Sequence, residues 1–406
     1  MNYLGIDVSK STSRYVFLDN DGEKFTKPFS LQNHQQDFIN LSCRLNELNL
    51  SPENLIIGIE ATGIWWENLY CLLTEKSFKV IVLNPHQTNK FREALRIKAK
   101  TDDIDAYVIA GLLRSQKYAS SFIPEESIQV LREITKLRFQ LLKDRQDYER
   151  QASALLGLLF PEYPQTAIKN PFAIASMAIL KAYPTAKHLA EAKPKHIEKI
   201  VRSIQGNNFN IDEIQSLIDT AQKSIYSGRA KNDRGMNLNI MLTQIETLQQ
   251  ALAQLDQRMN DILSPSDSDD ANGFPGANLL SIPGVGPKTL AAILSTVGSN
   301  GKSFADGKHL IGYVGFFPKI YESGETKREN IISARGPKYL RWALYMAAVA
   351  CIKHNREFKA LYARKISQGK SAKQALIYVA KKLAHLCLSM LKSGETYNPA
   401  RVFMPA

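Results

Sequence analysis

Tyr3-Leu4-Gly5-Ile6-Asp7 decides the fold: it reads as a short apolar strand that ends on a carboxylate. Leu55-Ile56-Ile57-Gly58-Ile59-Glu60 repeats the pattern, again closing on an acid. Two further acids, Asp102 and Asp105, lie three apart in Lys100-Thr101-Asp102-Asp103-Ile104-Asp105-Ala106, which reads as the start of a helix. Residues three apart share a helical face, with Cβ atoms about 5–6 Å apart. Carboxylates converging to about 4 Å repel by about 4 kcal/mol per pair at a protein-like dielectric. A cluster of Asp7, Glu60, Asp102 and Asp105 therefore calls for a divalent cation. Hard oxygen donors select Mg²⁺ or Mn²⁺, and two such ions can clamp the oxygens of a phosphodiester under attack. Asp103 falls about 100° further round the helix from Asp102 and reads as a surface residue. Pairing it with Asp105 would be an i,i+2 relation, which shares no face.

Outward from these acids, residues 3–29 read as three strands, at 3–8, 14–18 and 24–29, with Asn20-Asp21-Gly22 as a hairpin turn. Helical and strand patterns then alternate: a helix over 32–48, the strand 54–60, a helix over 64–76, the strand 79–83 and helical segments from 86 to 116. Three antiparallel strands followed by alternating helix and strand match the order of a ribonuclease-H-like α/β domain, assigned here to 1–125. Trp65 and Trp66, at a strand–helix junction, fit core packing better than base stacking.

The chain carries 52 Lys+Arg against 39 Asp+Glu, a formal charge of +13. Residues 301–406 hold 19 Lys+Arg against 6 Asp+Glu, whereas the first 300 balance at 33 each. A basic excess confined to one end is the electrostatic footprint of a nucleic-acid surface. Cys43, Cys71, Cys351 and Cys387 have no CxxC spacing, and the seven histidines form no HxH or HxxxH pair, so neither a zinc site nor a disulfide framework is expected. No run reaches the ~18 apolar residues of a membrane span, and the first strand follows Met1 without a signal-like segment. A cytoplasmic protein in a reducing compartment is expected.

Over 126–263 the pattern becomes heptad-like. Val130, Ile134, Leu137, Leu141, Tyr148, Ala152 and Leu155 form one stripe, interrupted at Arg145; Leu238, Met241, Ile245, Leu248, Leu252, Leu255, Met259 and Ile262 form a second. Such helices pair within or between chains as a coiled-coil spacer or dimer arm. A mostly helical insert, 161–232, separates them and suggests no chemistry. A polar linker over 264–278 leads to a compact basic domain, 279–406. This opens on Ile282-Pro283-Gly284-Val285-Gly286-Pro287-Lys288, a helix-hairpin-helix pattern in which Gly284, Gly286 and Lys288 can meet a phosphate; a plain helix–helix turn explains it equally well. The segment 318–328 reads as a surface loop or hairpin. Around it Lys319, Lys327, Arg328, Arg335, Lys338 and Arg341 supply charge suited to phosphates.

These blocks in order resemble the DEDD transposases of the insertion sequence 110 family, which also includes the Piv/MooV DNA invertases. The resemblance rests on Gly5-Ile6-Asp7-Val8-Ser9-Lys10, Glu60-Ala61-Thr62-Gly63, Asn84-Pro85 and Lys100-Thr101-Asp102 with Asp105-Ala106. At the other end it rests on Ile282–Gly286, Gly312-Tyr313-Val314-Gly315, Tyr321-Glu322-Ser323-Gly324, Ile332-Ser333-Ala334-Arg335-Gly336 and Leu340–Tyr345. It implies a RuvC-like N-terminal domain, a coiled-coil connector and a mainly helical C-terminal transposase domain. It makes Asp7, Glu60, Asp102 and Asp105 the metal-binding tetrad and places the family's catalytic serine on Ser323, with Ser333 as the alternative. It further implies donor and target DNA, a structured noncoding bridge RNA, and a dimer-to-tetramer assembly. A structure-selective endonuclease using water on the same tetrad is the rival expectation.

Overall fold

The structure, a computed structural model, describes residues 1–121, 123–166, 170–204, 209–264, 274–317, 321–323, 326–328, 333 and 336–402, with backbone alone at 321–323, 326–328 and 401–402. It divides into two compact units, Met1–Ile123 and Pro124–Ala406.

The first unit is a mixed five-stranded sheet built from β1 (Asn2–Val8), β2 (Thr12–Leu18), β3 (Phe29–Gln32), β4 (Leu55–Glu60) and β5 (Lys79–Leu83), in the order β3-β2-β1-β4-β5. β1 and β2 pair antiparallel, as do β2 and β3, whereas β1–β4 and β4–β5 are parallel. This arrangement is compatible with a RuvC-like domain. Alternation along β1 divides its side chains between two cores. Leu4, Ile6 and Val8 pack with Leu41 and Leu45 of α1 (Gln35–Glu47) and Leu73 of α2 (Trp66–Glu75). Tyr3 faces Ala106, Ile109 and Leu113 of α4 (Asp102–Arg114), which follows α3 (Pro85–Ala94). The third strand begins five residues later than 24–29 suggests. Asp19 Oδ1 gathers the N–H groups of Asp21, Gly22 and Glu23, making the expected turn. Pro28, however, has no N–H for a ladder, so pairing starts at Phe29, opposite Tyr15.

In the second unit α5 (Glu126–Leu159) and α10 (Lys231–Leu263) lie side by side. The start of α5 shares a core with the end of α10, through Ile128, Leu131, Met259 and Leu263; the end of α5 shares another with the start of α10, through Leu156, Leu159, Leu238 and Leu242. The two helices are therefore antiparallel partners within one chain. The second core is completed by the insert helices α6 (Ile174–Ala182), α7 (Ala186–Ala190), α8 (Pro194–Arg202) and α9 (Ile211–Gln222). The first is completed by α11 (Pro287–Val297), α12 (Gly307–Val314), α13 (Lys338–His354), α14 (Arg356–Ser367) and α15 (Ala372–Ser393). Before α11 stands a single 3-10 turn, Ala277–Ser281, so of the two helices expected around the Gly284 turn one is an α-helix. Most of the expected linker, 265–273, lies outside the described residues. β6 (Tyr321–Ser323) and β7 (Thr326–Arg328) form a small antiparallel hairpin. Among the described residues no helix is long and apolar enough to cross a membrane.

Candidate active site

Gly5 and Gly58 stand opposite each other in the β1–β4 register. A Cβ on Gly5 would lie 2.0 Å from the Ala106 carbonyl oxygen and 2.6 Å from the Ala110 nitrogen. One on Gly58 would meet Leu113 Cδ1 at 2.7 Å and Ile109 Cγ2 at 2.9 Å. Two bare backbones side by side thus form a trough in which α4 lies against the sheet. Two residues beyond each glycine, on the same face, come Asp7 and Glu60. The helix over the trough begins just there: Thr101 caps it, its hydroxyl accepting from the Ile104 N–H at 3.3 Å, and Asp102, Asp103 and Asp105 fill its first turn. Helix N-termini favour carboxylates, which offsets part of the crowding.

The crowding is legible in Asp7. Its carboxyl is pushed up to about 6, first by burial and then by the charges of Asp105, Asp102 and Glu60, with Lys100 opposing. Asp103 is absent from that group. Its carboxylate pairs with Arg14 on β2, and this hydrogen bond holds it below the usual carboxylate range. Arg14 is itself the register partner of Asp7.

The sequence reading missed the groups that hold the acids in place. Glu60 accepts hydrogen bonds from the Thr88 hydroxyl and, at 2.6 Å, from Thr62 Oγ1. Asp105 accepts from Arg92 Nη1 at 3.1 Å. Thr88 and Arg92 are four apart on α3, hence on one face. The Asn84-Pro85 block explains that helix: Asn84 caps it by accepting from the His86 N–H at 2.9 Å, and Pro85 fits its first position. The usable signal was therefore a capped helix with Thr and Arg at i,i+4. In this conformation, among the described residues, no three His, Cys, Asp or Glu side chains draw close enough to hold one metal ion. Glu60 and Asp105 instead turn to donors of their own, Thr62 and Thr88 for the one and Arg92 for the other. The donor set nevertheless fits a hard divalent cation: it is all oxygen, and burial together with neighbouring carboxylates makes one member, Asp7, protonate unusually readily.

In the second unit, Ser323 ends β6 and is paired with Thr326, and Lys327 and Arg328 follow on β7. Lys319 and Arg335 lie outside the described residues. Ser333 is buried; its N–H donates to the Phe317 carbonyl at 2.8 Å, while its hydroxyl has no partner among the described residues. Lys338 is exposed at the start of α13, and Arg341 Nη1 donates to the Val314 carbonyl at 2.7 Å, tying α13 to α12. Gly336 (φ +79°) lets the chain pass the Tyr313 carbonyl, which a Cβ would meet at 1.9 Å. Gly284 has a comparable reason. Its φ is +103°, and a Cβ would meet the Cys351 nitrogen on α13 at 2.6 Å, whereas Gly286 has open space around it. Lys288 Nζ lies 2.6 Å from Asp256, whose other oxygen pairs with Arg138.

Comparison with known proteins agrees with this geometry at both ends of the chain. A transposase profile named for the DEDD acids matches residues 4–161, and that of the IS116/IS110/IS902 transposase family matches residues 276–363. The chain is 24% identical to the pilin gene-inverting protein of Moraxella lacunata over 399 residues, covering 98% of this chain and 97% of that protein. It is 25% identical to its counterpart in Moraxella bovis over 404 residues, with the same coverage. It is 27% identical to a 43.6 kDa protein of insertion element IS110 in Streptomyces coelicolor, covering 76% of this chain and 75% of that protein. Acids at the ends of two central strands under a tightly seated helix, a helical second unit and these matches lead to one conclusion: the chain belongs to the IS110 family of transposases and is an enzyme of DNA recombination.

Proposed function

We propose that this enzyme cuts and rejoins DNA through a covalent serine–DNA intermediate. The observation that carries the reading is the set of carboxylates crowding Asp7, which leaves an excess of negative charge where the central strands β1 and β4 end. Asp7, Glu60, Asp102 and Asp105 would hold Mg²⁺ or Mn²⁺, which when bound supplies Lewis-acid charge for phosphoryl transfer. Ser323 is the nucleophile. Its Oγ gives up its proton and bonds to phosphorus, the P–O3′ bond breaks, and the departing 3′ oxygen takes up a proton to become the strand's free hydroxyl. Reversal on a different 3′ end rejoins the strands with the bond energy conserved. Lys319, Lys327, Arg328, Arg335, Lys338 and Arg341, with the Gly284–Lys288 turn, hold the backbone without reading sequence. Sequence choice falls to a bridge RNA paired with donor and target DNA, and exchange between two duplexes takes place in a dimer or tetramer. The names of the Moraxella relatives point to inversion and those of the insertion-element relatives to insertion; the same chemistry serves either outcome.

The test is adduct trapping. Wild-type protein incubated with its element's DNA ends, its RNA and Mg²⁺ should yield a denaturation-resistant protein–DNA species, and Ser323→Ala should not. Undiminished adducts in Ser323→Ala would move the nucleophile to Ser333 or elsewhere. Cleavage without adducts in the wild type would turn the reading toward a hydrolytic nuclease.

A further inference from the structure

Between α5, α10, α11 and α13, beside the Gly284–Lys288 turn, lies a cavity of about 190 Å³ to which the reactions above assign no ligand. Its walls are mainly apolar. Phe139 and Trp342 meet edge to face, with centroids 6.1 Å apart, and Trp342 and Met346 remain 38% and 45% exposed at the surface. Two features mark it as more than a packing gap. Thr135, only 6% exposed, is among the lining residues, and its hydroxyl, itself closed off from solvent, has no hydrogen-bond partner among the described residues. An unmatched buried hydroxyl is unfavourable, and a turn of the Thr135 side chain toward the cavity would let it pair with a ligand edge. Arg138 and Lys288 also line the cavity and share the single carboxylate of Asp256, which leaves one positive charge in excess beside an apolar slot.

We infer that this cavity takes one unstacked nucleobase of a DNA strand, with the attached phosphate against Arg138 and Lys288. The size agrees: an apolar cavity of about 150 Å³ accepts benzene, so this one has room for a single planar heterocycle and none for a cofactor-sized ligand. The chemistry agrees as well, since aromatic walls stack on any base and a hydroxyl can bond a base edge. A recombination reaction also supplies the ligand, because exchanging strands between duplexes leaves bases unpaired near the cut. The inference rests on DNA recombination by this family and is independent of the carboxylate and serine assignments.

It is tested on the full-length chain in EDTA, so a failure of the metal reading cannot intrude. In a W65F/W66F background Trp342 is the remaining tryptophan of three. Its fluorescence should be quenched by the single-stranded probe dT12 and not by an abasic deoxyribose-phosphate 12-mer. Ala350→Met, which fills the cavity from its rim, should weaken dT12 binding by roughly 5- to 100-fold, the range for loss of one stacked base. Equal quenching by the abasic strand, or unchanged dT12 affinity in an Ala350→Met protein that melts like its parent, would overturn the inference. So would an effect of Ala350→Met on rU12 but not on dT12. Should Ala350→Met fail to fold, Trp342→Leu in the otherwise unaltered chain, read by anisotropy of labelled dT12, is held to the same outcomes.

Discussion

Asp7 and Asp256 are both partly buried acids, and their surroundings drive them in opposite directions. Around Asp7 the neighbours are other carboxylates, so burial and repulsion add and the proton is held up to about pH 6. Around Asp256 burial also raises the pKa, but Arg138 and Lys288 outweigh it and the carboxylate stays ionised below the usual range. The second acid has its counter-ions within the chain and serves to join α5, α10 and the start of α11. The first lacks them. An acid left short of positive charge by its own protein is placed to receive it from outside.

The most forceful way to break this contrast is to unseat the helix that creates it. Gly5→Ala would thrust a methyl group into the α4 backbone and should cost about 3 kcal/mol or more in urea unfolding, with loss of strand exchange. Gly157→Ala, on the exposed side of α5 with open space around it, should instead stabilise by about 0.5–1 kcal/mol. Next, Asp7→Asn and Asp102→Asn should reduce strand exchange by at least about 100-fold, the loss typical of groups that support a metal site. Asp103→Asn should be mild, because its partner is Arg14. If Asp103→Asn proves the damaging change, the tetrad is misassigned. Asp256→Asn leaves two cations short of their counter-charge and should cost about 1–2 kcal/mol of stability, without a comparable loss in the rate of covalent adduct formation.

The smallest effect sharpens the comparison through pH. The folded state binds the Asp7 proton more tightly than the unfolded chain does, so this residue's contribution to stability declines as pH rises from about 4 to about 6 and then stays unfavourable. Without divalent metal, Asp7→Asn should therefore raise the melting temperature at pH 7.5 by a few degrees and leave it nearly unchanged at pH 4. After allowance for solvent screening this corresponds to about 1 kcal/mol. Asp256 carries the opposite sign: its contribution is present above about pH 4 and fades as pH falls further. A rise in melting temperature for Asp7→Asn at pH 4 equal to that at pH 7.5 would remove the electrostatic account.

The gathering of Asp7, Glu60, Asp102 and Asp105 was legible because period-2 alternation and i,i+3 spacing fix faces without knowledge of the tertiary fold. What remained hidden depends on contacts between distant segments. Gly5 and Gly58 read as ordinary strand residues until their shared register and the approach of α4 are known. Thr88 and Arg92 sit on a helix whose facing direction the sequence does not reveal. At the other end, the spacing that suggested a phosphate-binding turn at Gly284 served equally well for a turn pressed against α13, since a glycine is required in both cases. The heptad stripes foretold two long helices but left open whether they pair within the chain, and the described cores show that they do.

The antiparallel α5–α10 pair has a mechanical consequence. A 34-residue helix is about 50 Å long, and the two cores it carries are gathered at its opposite ends. Whatever surface the insert presents is therefore held at a set reach from the terminal helices. Adding one heptad to each helix would lengthen the strut by about 10 Å while keeping its faces in phase. The rod thus sets the spacing of the two cores, and its residue count fixes that distance.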